Sequence, residues 1–219
     1  MSHESASRES RVTSQRTTTR DSGLGTRDSL YALLRHLTLP VVAITTSAEG
    51  RRNAMIANSA QRASLVPAVP RISVYISKTN LTHDLVYGSG VLGIHLLRRD
   101  QWELIWRLGL YSGRDTDKLG GVDVRTGDTG CPMLVDVLAA FECRVVNAMD
   151  AGGSTFFLGD VVAAREGAAG DVMTSEYFRK HMSEERRRTY EAKLIEAQKA
   201  LASMSHVERK VWPGPIVGA

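Results

Sequence analysis

Cysteine is scarce in this sequence: Cys131 and Cys143 are the only two among 219 residues. Two thiols cannot form the framework of a disulfide-stapled scaffold, and their spacing is not that of a metal site. No apolar run approaches the ~20 residues that a membrane-crossing helix needs. The first residues lack the apolar stretch of a secretory signal. A cytoplasmic protein with reduced thiols, no metal and no membrane contact is therefore expected. Aromatic residues make up 6% of the chain, and the formal net charge is a mild +4. There is no basic stripe with interleaved aromatics, so no nucleic-acid partner is expected. No G-x-G-x-x-G follows a strand-like run and no β–α–β alternation is visible, which argues against a Rossmann sheet.

The residues suited to ligand chemistry converge in one stretch, residues 52–84. Two apolar, strand-like runs, 54–60 and 72–77, are joined by a segment carrying Pro67 and Pro70. The first run and its flanks supply Asn53, Ala54, Met55, Ile56, Ala57, Asn58 and Ser59, and Ser64 follows. Small side chains here let a flat ligand approach backbone N–H groups. The second run opens into Ser77, Lys78, Thr79, Asn80, Thr82 and His83 at a helix-like start. Hydroxyls, one lysine and a helix N-terminus suit a phosphate, because unpaired N–H groups and the helix dipole favour an anion there. Each residue also has a plainer reading. Ser59 and Ser64 can cap strand ends, Lys78 can be solvated, and His83 can be a local cap. None stands out as an acid, base or nucleophile, so the catalytic residues are unknown at this stage.

The remaining pattern is that of a small, mainly β domain with additions. Residues 1–27 are Ser, Thr and Arg with almost nothing to bury, and a disordered tail is expected. Residues 28–37 read as a short helix with Leu30, Leu33, Leu34 and Leu37 at helical spacing. Residues 41–46 form a β-branched run, a turn around Gly50 follows, and 54–60 return as a hairpin partner. Residues 71–77 alternate with period two. Residues 82–87 are a short helix, 91–97 a strand and 98–109 a helix whose tryptophans, Trp102 and Trp106, read as packing anchors. Residues 110–131 are loop, in which Asp117 and Lys118 read by themselves as a solvated pair. Residues 134–148, broken near Ala139, and 154–165 form a final hairpin. His95, inside a strand, reads as a packed residue. Hairpin succession without crossover helices argues for an antiparallel barrel.

From Thr174 the pattern changes to one helix running to about residue 209. Tyr190, Leu194, Ala197, Leu201 and Met204 form a heptad-like stripe that covers either its own barrel or a second subunit. Leu194 and Leu201 are expected to be buried. Trp212, in the extended segment that follows, reads either as part of a disordered end or as an anchor in a pocket.

In order, Pro40-Val41-Val42-Ala43-Ile44-Thr45-Thr46, Gly50, Asn53-Ala54-Met55, Ser64-Leu65, Pro67 and Thr82-His83 resemble the flavin reductase-like, FMN-binding split-barrel domain. Gly113, Asp117-Lys118-Leu119, Cys131-Pro132-Met133-Leu134, Phe141-Glu142-Cys143-Arg144-Val145 and Phe157-Leu158-Gly159-Asp160-Val161 continue the match. The resemblance implies a split β-barrel with added helices, including a long C-terminal one. It divides the chain into a tail (1–27), the reductase-like domain (28–170) and a C-terminal extension (171–219). It implies a homodimer that binds FMN or FAD through the stretch above and takes hydride from NAD(P)H. Such reductases often supply reduced flavin to a partner monooxygenase. Two alternatives stand beside this: a flavin-binding electron-transfer protein without nicotinamide turnover, and the same barrel using another cofactor, such as a deazaflavin or haem.

Two places depart from the family pattern. Many members carry a histidine just before the Phe-x-Gly-acid-Val segment, where this chain reads Gly152-Gly153-Ser154-Thr155-Phe156-Phe157. Gln61-Arg62 stand where an aromatic and a small residue are common. Arg62 suits a second phosphate or plain solvent.

Overall fold

The computed structural model describes residues 39–204, together with 34, 37, 206, 207 and 211–215. The expected tail and nearly all of the expected helix at 28–37 lie outside the described residues.

A β-branched run followed by a turn that accepts positive φ makes the first hairpin. Strand β1 (Val42–Ala48) pairs with β2 (Arg51–Ala57). Glu49 and Gly50 between them have φ of 49° and 73°. Positive φ at both central residues is the primed turn whose twist matches that of paired strands. The expected turn at Ser47–Arg52 is thus tighter, and both strands run one or two residues further into it.

Strand β3 (Gln61–Arg62) pairs with β4 (Arg71–Ser77), and β5 (Val91–Leu96) follows helix α1 (Leu81–Ser89). β6 (Val124–Thr126) pairs with β7 (Pro132–Leu134) in a small separate sheet, so the expected loop at 110–131 contains a strand. The final hairpin is β8 (Ala139–Asp150) with β9 (Ser154–Glu166), its register shifted between Glu142/Cys143 and Val145/Asn147. The main sheet has the order β2-β1-β5-β8-β9-β4-β3, every pair antiparallel. This is a split β-barrel with added helices, as the sequence predicts.

Both faces of the central strands are covered, which is why residues 41–44 are all apolar. Val42, Ile44, Val74, Ile76, Ile94 and Phe157 pack on one face. Val41, Ala43, Leu97, Leu108, Met133 and Met173 pack on the other, beneath helix α2 (Trp102–Leu110). Full burial of each large side chain is worth about 1.5–3 kcal/mol.

The C-terminal helix is two helices, α3 (Ser175–His181) and α4 (Glu184–Ala202), and not one to residue 209. Met182 is buried with extended backbone, and the Ser183 hydroxyl accepts from Arg186 N, restarting the helix. α3 is tied to the start of β1: Val41 N donates to Met173 O at 2.7 Å and Ser175 N to Leu39 O at 2.9 Å. No residue of α4 is fully buried. Leu194 and Leu201, expected buried, are half-buried, because only one edge of α4 meets the barrel within this chain.

Candidate functional site

The polar turn after β4 is built from its own side chains. The Ser77 and Thr79 hydroxyls lie 2.9 Å apart, Thr79 N donates to Ser77 Oγ at 3.4 Å, and Asn80 N donates to Ser77 O at 3.1 Å. Asn80 precedes α1 with extended backbone, and its side chain makes no capping bond to the helix. Its amide therefore remains available beside the helix N-terminus.

Beneath this turn the contacts are closed. Asn53 Nδ2 donates to the buried Thr82 Oγ1 at 3.0 Å. Gly113 lies so close that an added Cβ would overlap the Asn53 carboxamide. Next to Gly113, Arg114 donates to Thr79 O and to Asp84 Oδ2, both at 2.8 Å. The loop after α2 thus clamps the turn.

His83 sits 2.8 Å from Thr155 Oγ1 through Nε2 and 3.1 Å from Asp84 Oδ1 through Nδ1. A carboxylate only accepts, so Nδ1 donates to Asp84, and in the neutral ring Nε2 then accepts from the Thr155 hydroxyl. Its ring stacks on Tyr87 at 5.8 Å. Lys78, expected to face a phosphate or solvent, instead pairs with Asp150 at 2.8 Å.

Lys118 is the second lysine here, and it is buried, not solvated. Its Nζ donates to Ala54 O at 2.9 Å and to Leu108 O at 2.8 Å. Burial pushes its pKa down to about 8. In this way it ties the end of α2 to the middle of β2 while holding a cation under the β2 exit.

The expected site residues divide among three cavities. A 300 Å³ cavity takes in Met55, Ile56, Ala57, Asn58 and Asn80. Its other walls include Trp106, Gly109 and the helical residues Tyr190 and Leu194. Lys118, Arg179 and Lys193 line it and no carboxylate does. A 420 Å³ cavity takes in Lys78 and His83 with Asp150, Thr155 and Trp212. A 750 Å³ apolar groove takes in Ser64 with Leu65, Val66, Pro67 and Phe141. Asn53, Ala54 and Thr82 are buried supports. Ser59 only braces: its hydroxyl donates to Tyr75 O at 2.9 Å. Ser64 likewise serves its own turn, accepting from Val66 N at 3.1 Å. Ser77 and Thr79 bond to each other.

Several contacts around this turn are not legible in the sequence, although Thr155 stands in the segment where the family pattern has its histidine. Asp150, Thr155 and Arg114 meet the loop only through the fold, at |i−j| of 72, 72 and 30–35. Trp106, read as an anchor, packs with the Arg186 guanidinium 5.3 Å over its ring. Trp212 does reach a pocket. His95 is packed, with Nδ1 3.2 Å from Ala43 O and Nε2 accepting from Leu134 N at 3.1 Å. Among the described residues no group of three or more His, Cys, Asp or Glu side chains could hold a metal.

The chain is similar to several known proteins in sequence and in fold. A relative from Archaeoglobus fulgidus, a ferric-chelate reductase (NAD(P)H), is 32% identical over 133 residues, covering 60% of this chain and 78% of its own. A high molecular weight rubredoxin from Moorella thermoacetica is 34% identical over 147 residues; the match covers 66% of this chain and only 63% of that protein. Among solved structures, an FMN-binding protein from Thermus thermophilus superposes with a TM-score of 0.55 at 29% identity, covering 59% of this chain and 72% of that one. An NADH:FAD oxidoreductase from Streptomyces globisporus superposes at 0.62 with 22% identity over 69% and 89%, which speaks for the fold alone. The sequence model of the flavin reductase like domain matches residues 34–186, well over half the chain and the whole of the sheet just described, so the protein belongs to the flavin reductase-like domain family.

Proposed function

We propose that the protein is an NAD(P)H-dependent flavin reductase that binds FMN or FAD in the 300 Å³ cavity. The observation that carries this is the lining: three cationic side chains, no carboxylate, and the small residue Ala57 leading to Asn58 and Asn80 at a helix start. That donor set fits a planar ligand with a phosphate, since charge and N–H donors favour the anion. Asn58, Asn80 and the α1 N-terminus would hold the phosphate, and Met55, Ile56 and Ala57 the ring. Lys118 keeps positive charge beneath the β2 exit. Trp106 and the α4 residues Tyr190 and Leu194 keep water from one side. When bound, the flavin supplies two-electron redox chemistry between a nicotinamide and the next acceptor. The names borne by the relatives, ferric-chelate reductase (NAD(P)H) and FMN reductase (NADH), support the same reading.

The next acceptor is proposed to be a partner monooxygenase. Nitrilotriacetate monooxygenase component B from Mycobacterium thermoresistibile, 25% identical with a TM-score of 0.60, supports that class. The proposed assembly is a homodimer. Leu65 and Val66, 84% and 57% exposed on the rim of the apolar groove, are the surface such a pairing would cover. The division into a tail, a reductase domain at 28–170 and an extension at 171–219 is kept. The cytoplasm is the proposed compartment: Cys131 and Cys143 are free, buried thiols, which burial pushes up to about 12.

One observation favours an electron carrier without nicotinamide turnover. The start of β9 carries Ser154 and Thr155 where the family often has a histidine, and the nearby His83 is already engaged on both nitrogens. The deciding experiment is the absorption spectrum of the purified protein, then NADH and NADPH oxidation with FMN or FAD added. Catalytic oxidation supports the reductase; bound flavin with no oxidation supports the carrier.

A further inference from the structure

The segment matched by the family model ends at residue 186, so nearly all of α4 lies beyond it. This helix supplies Tyr190, Lys193, Leu194 and Ala197 to one wall of the 300 Å³ cavity. The other walls come from β2, α2 and α3. That volume is at the small end of ligand cavities, which span about 300–1,000 Å³. Access therefore depends on the wall that is least firmly built, and that wall is α4.

α3 is a fixed base. Its start is hydrogen-bonded to Leu39, and Met182 beyond its end is buried. Met182 and Ser183 are both extended, with ψ of 135° and 155°, between two helices. A few such residues at element ends are enough to absorb a rigid-body swing. The Ser183 hydroxyl accepts from Arg186 N, so α4 carries its own cap and turns as one piece. Arg187 donates to Arg179 O at 2.9 Å, a contact that lies at the pivot itself. The first turn of α4 is latched to α2: the Arg186 guanidinium pairs with Glu103 and lies 5.3 Å over the Trp106 ring. The Glu103 side chain is 84% exposed, so this ion pair is weak. Tyr190 meets Phe178 edge-on at 5.7 Å, and Leu201 rests on Gly153 at the far end. No residue of α4 is fully buried. A helix held by half-buried contacts and an exposed ion pair opens far more readily than the core does.

We propose that α4 is a lid on the 300 Å³ cavity, pivoting at Met182–Ser183 and latched by Arg186 on Glu103 and Trp106. Swinging out, it opens the cavity to the ligand; swinging back, it restores the wall. The latch with Glu103 lies outside the cavity and is made whether the cavity is empty or filled. Weakening it therefore speeds entry and exit together and leaves their ratio, the affinity, where it was. This inference rests on the reductase reading, because FMN is the ligand whose passage is followed.

The far end of α4 offers a lock. A Cβ built at Gly153 lies 3.4 Å from Leu201 Cβ, and Gly153 does not need a positive φ. Disulfides join Cβ atoms roughly 3.5–4.5 Å apart, so Gly153→Cys with Leu201→Cys can be bridged with little movement. The native thiols of Cys131 and Cys143 are buried and stay out of the exchange. FMN entry and exit are timed by stopped-flow flavin fluorescence on the full chain, first oxidised and then reduced, with thiol counting to show that the bridge has formed. The expected result is that FMN enters the oxidised form slower by about tenfold or more, and that reduction restores the rate. Glu103→Gln should speed entry and exit severalfold and leave Kd unchanged. A fixed wall would behave otherwise: the bridge would not alter the rates, and Glu103→Gln would alter nothing. Equal rates in the bridged and reduced forms overturn the inference and leave the reductase reading standing. Should the bridge not form, unchanged rates in Glu103→Gln overturn it alone. If neither the wild type nor the reduced variant binds FMN, the reductase reading fails and this inference with it.

Discussion

Lys78 Nζ lies 2.8 Å from Asp150 Oδ1, and this pair ties the start of α1 to the β8–β9 turn. The same carboxylate oxygen accepts from Gly152 N at 2.8 Å, and Lys78 N donates to Gly153 O at 2.9 Å. The lysine is part of a brace, and any role toward a phosphate competes with that brace. Two substitutions separate the roles. If its charge serves the ligand, Lys78→Ala weakens flavin binding by about 1–3 kcal/mol, the scale of a charge-assisted hydrogen bond. Asp150→Asn then strengthens binding, because the ammonium is released to the ligand. Calorimetric titration with FMN reads both. Weaker binding in both variants would show that the brace matters and the charge does not.

Gly113 packs on the Asn53 carboxamide, which in turn holds Thr82 beneath the turn. Gly113→Ala forces that amide to move. The expected cost is about 1–3 kcal/mol of stability, as for overpacking elsewhere. FMN affinity should fall as well, because Arg114 beside it holds the same turn through Thr79 and Asp84. Urea unfolding and flavin titration on one preparation check both. Unchanged values in the two would show that the loop after α2 does not clamp the site.

His95 makes stability depend on pH. Burial pushes its pKa from 6.5 down to about 4, against the pull of the Ala43 carbonyl and with help from the Arg165 charge. Between those values the unfolded chain takes up a proton that the native state refuses. Its contribution is therefore complete above pH 6.5 and is lost as pH falls towards 4, at up to about 1.4 kcal/mol per pH unit. His95→Gln should be less stable at neutral pH, since the bonds to Ala43 and Leu134 suffer, yet its stability should fall less steeply on acidification. Urea midpoints across that window decide. Parallel slopes for the two proteins would remove His95 from the acid response.

The strands and the candidate ligand stretch were legible because their signals are local. Period-two alternation marked β4, the β-branched run marked β1, and small residues with hydroxyls marked 53–83. Partners were not legible, because they are set by sheet order. Nothing near Lys78 in sequence points to Asp150, which the β4–β9 and β8–β9 pairings bring alongside. Lys118 looked solvated because it stands in a glycine- and aspartate-rich loop, yet two carbonyls of distant elements take it inside. The helix break at Met182 was hidden for a different reason. Neither Gly nor Pro marks it; the buried methionine and the Ser183 cap do, and both residues are also tolerated inside helices.

The stripe on α4 gives the last prediction. Leu194 lines the 300 Å³ cavity, whereas Leu201 rests on Gly153 at the β8–β9 turn. The two leucines therefore do different jobs, although they share one helix face. Both are only half-buried, so replacing either with aspartate costs less than a core substitution, about 1–2 kcal/mol from lost apolar burial. Leu194→Asp also puts a carboxylate into a cavity lined by Lys118, Arg179 and Lys193. It should weaken FMN by about tenfold or more, through repulsion of the phosphate and competition for the cations. Leu201→Asp should disturb the contact with Gly153 and spare FMN affinity in that cavity. Flavin titration of the two folded variants, with light scattering to record oligomeric state, separates the readings. If both variants become folded monomers and lose flavin together, α4 serves a subunit interface. If Leu194→Asp binds FMN as the wild type does, the cavity beneath α4 is not where the phosphate sits.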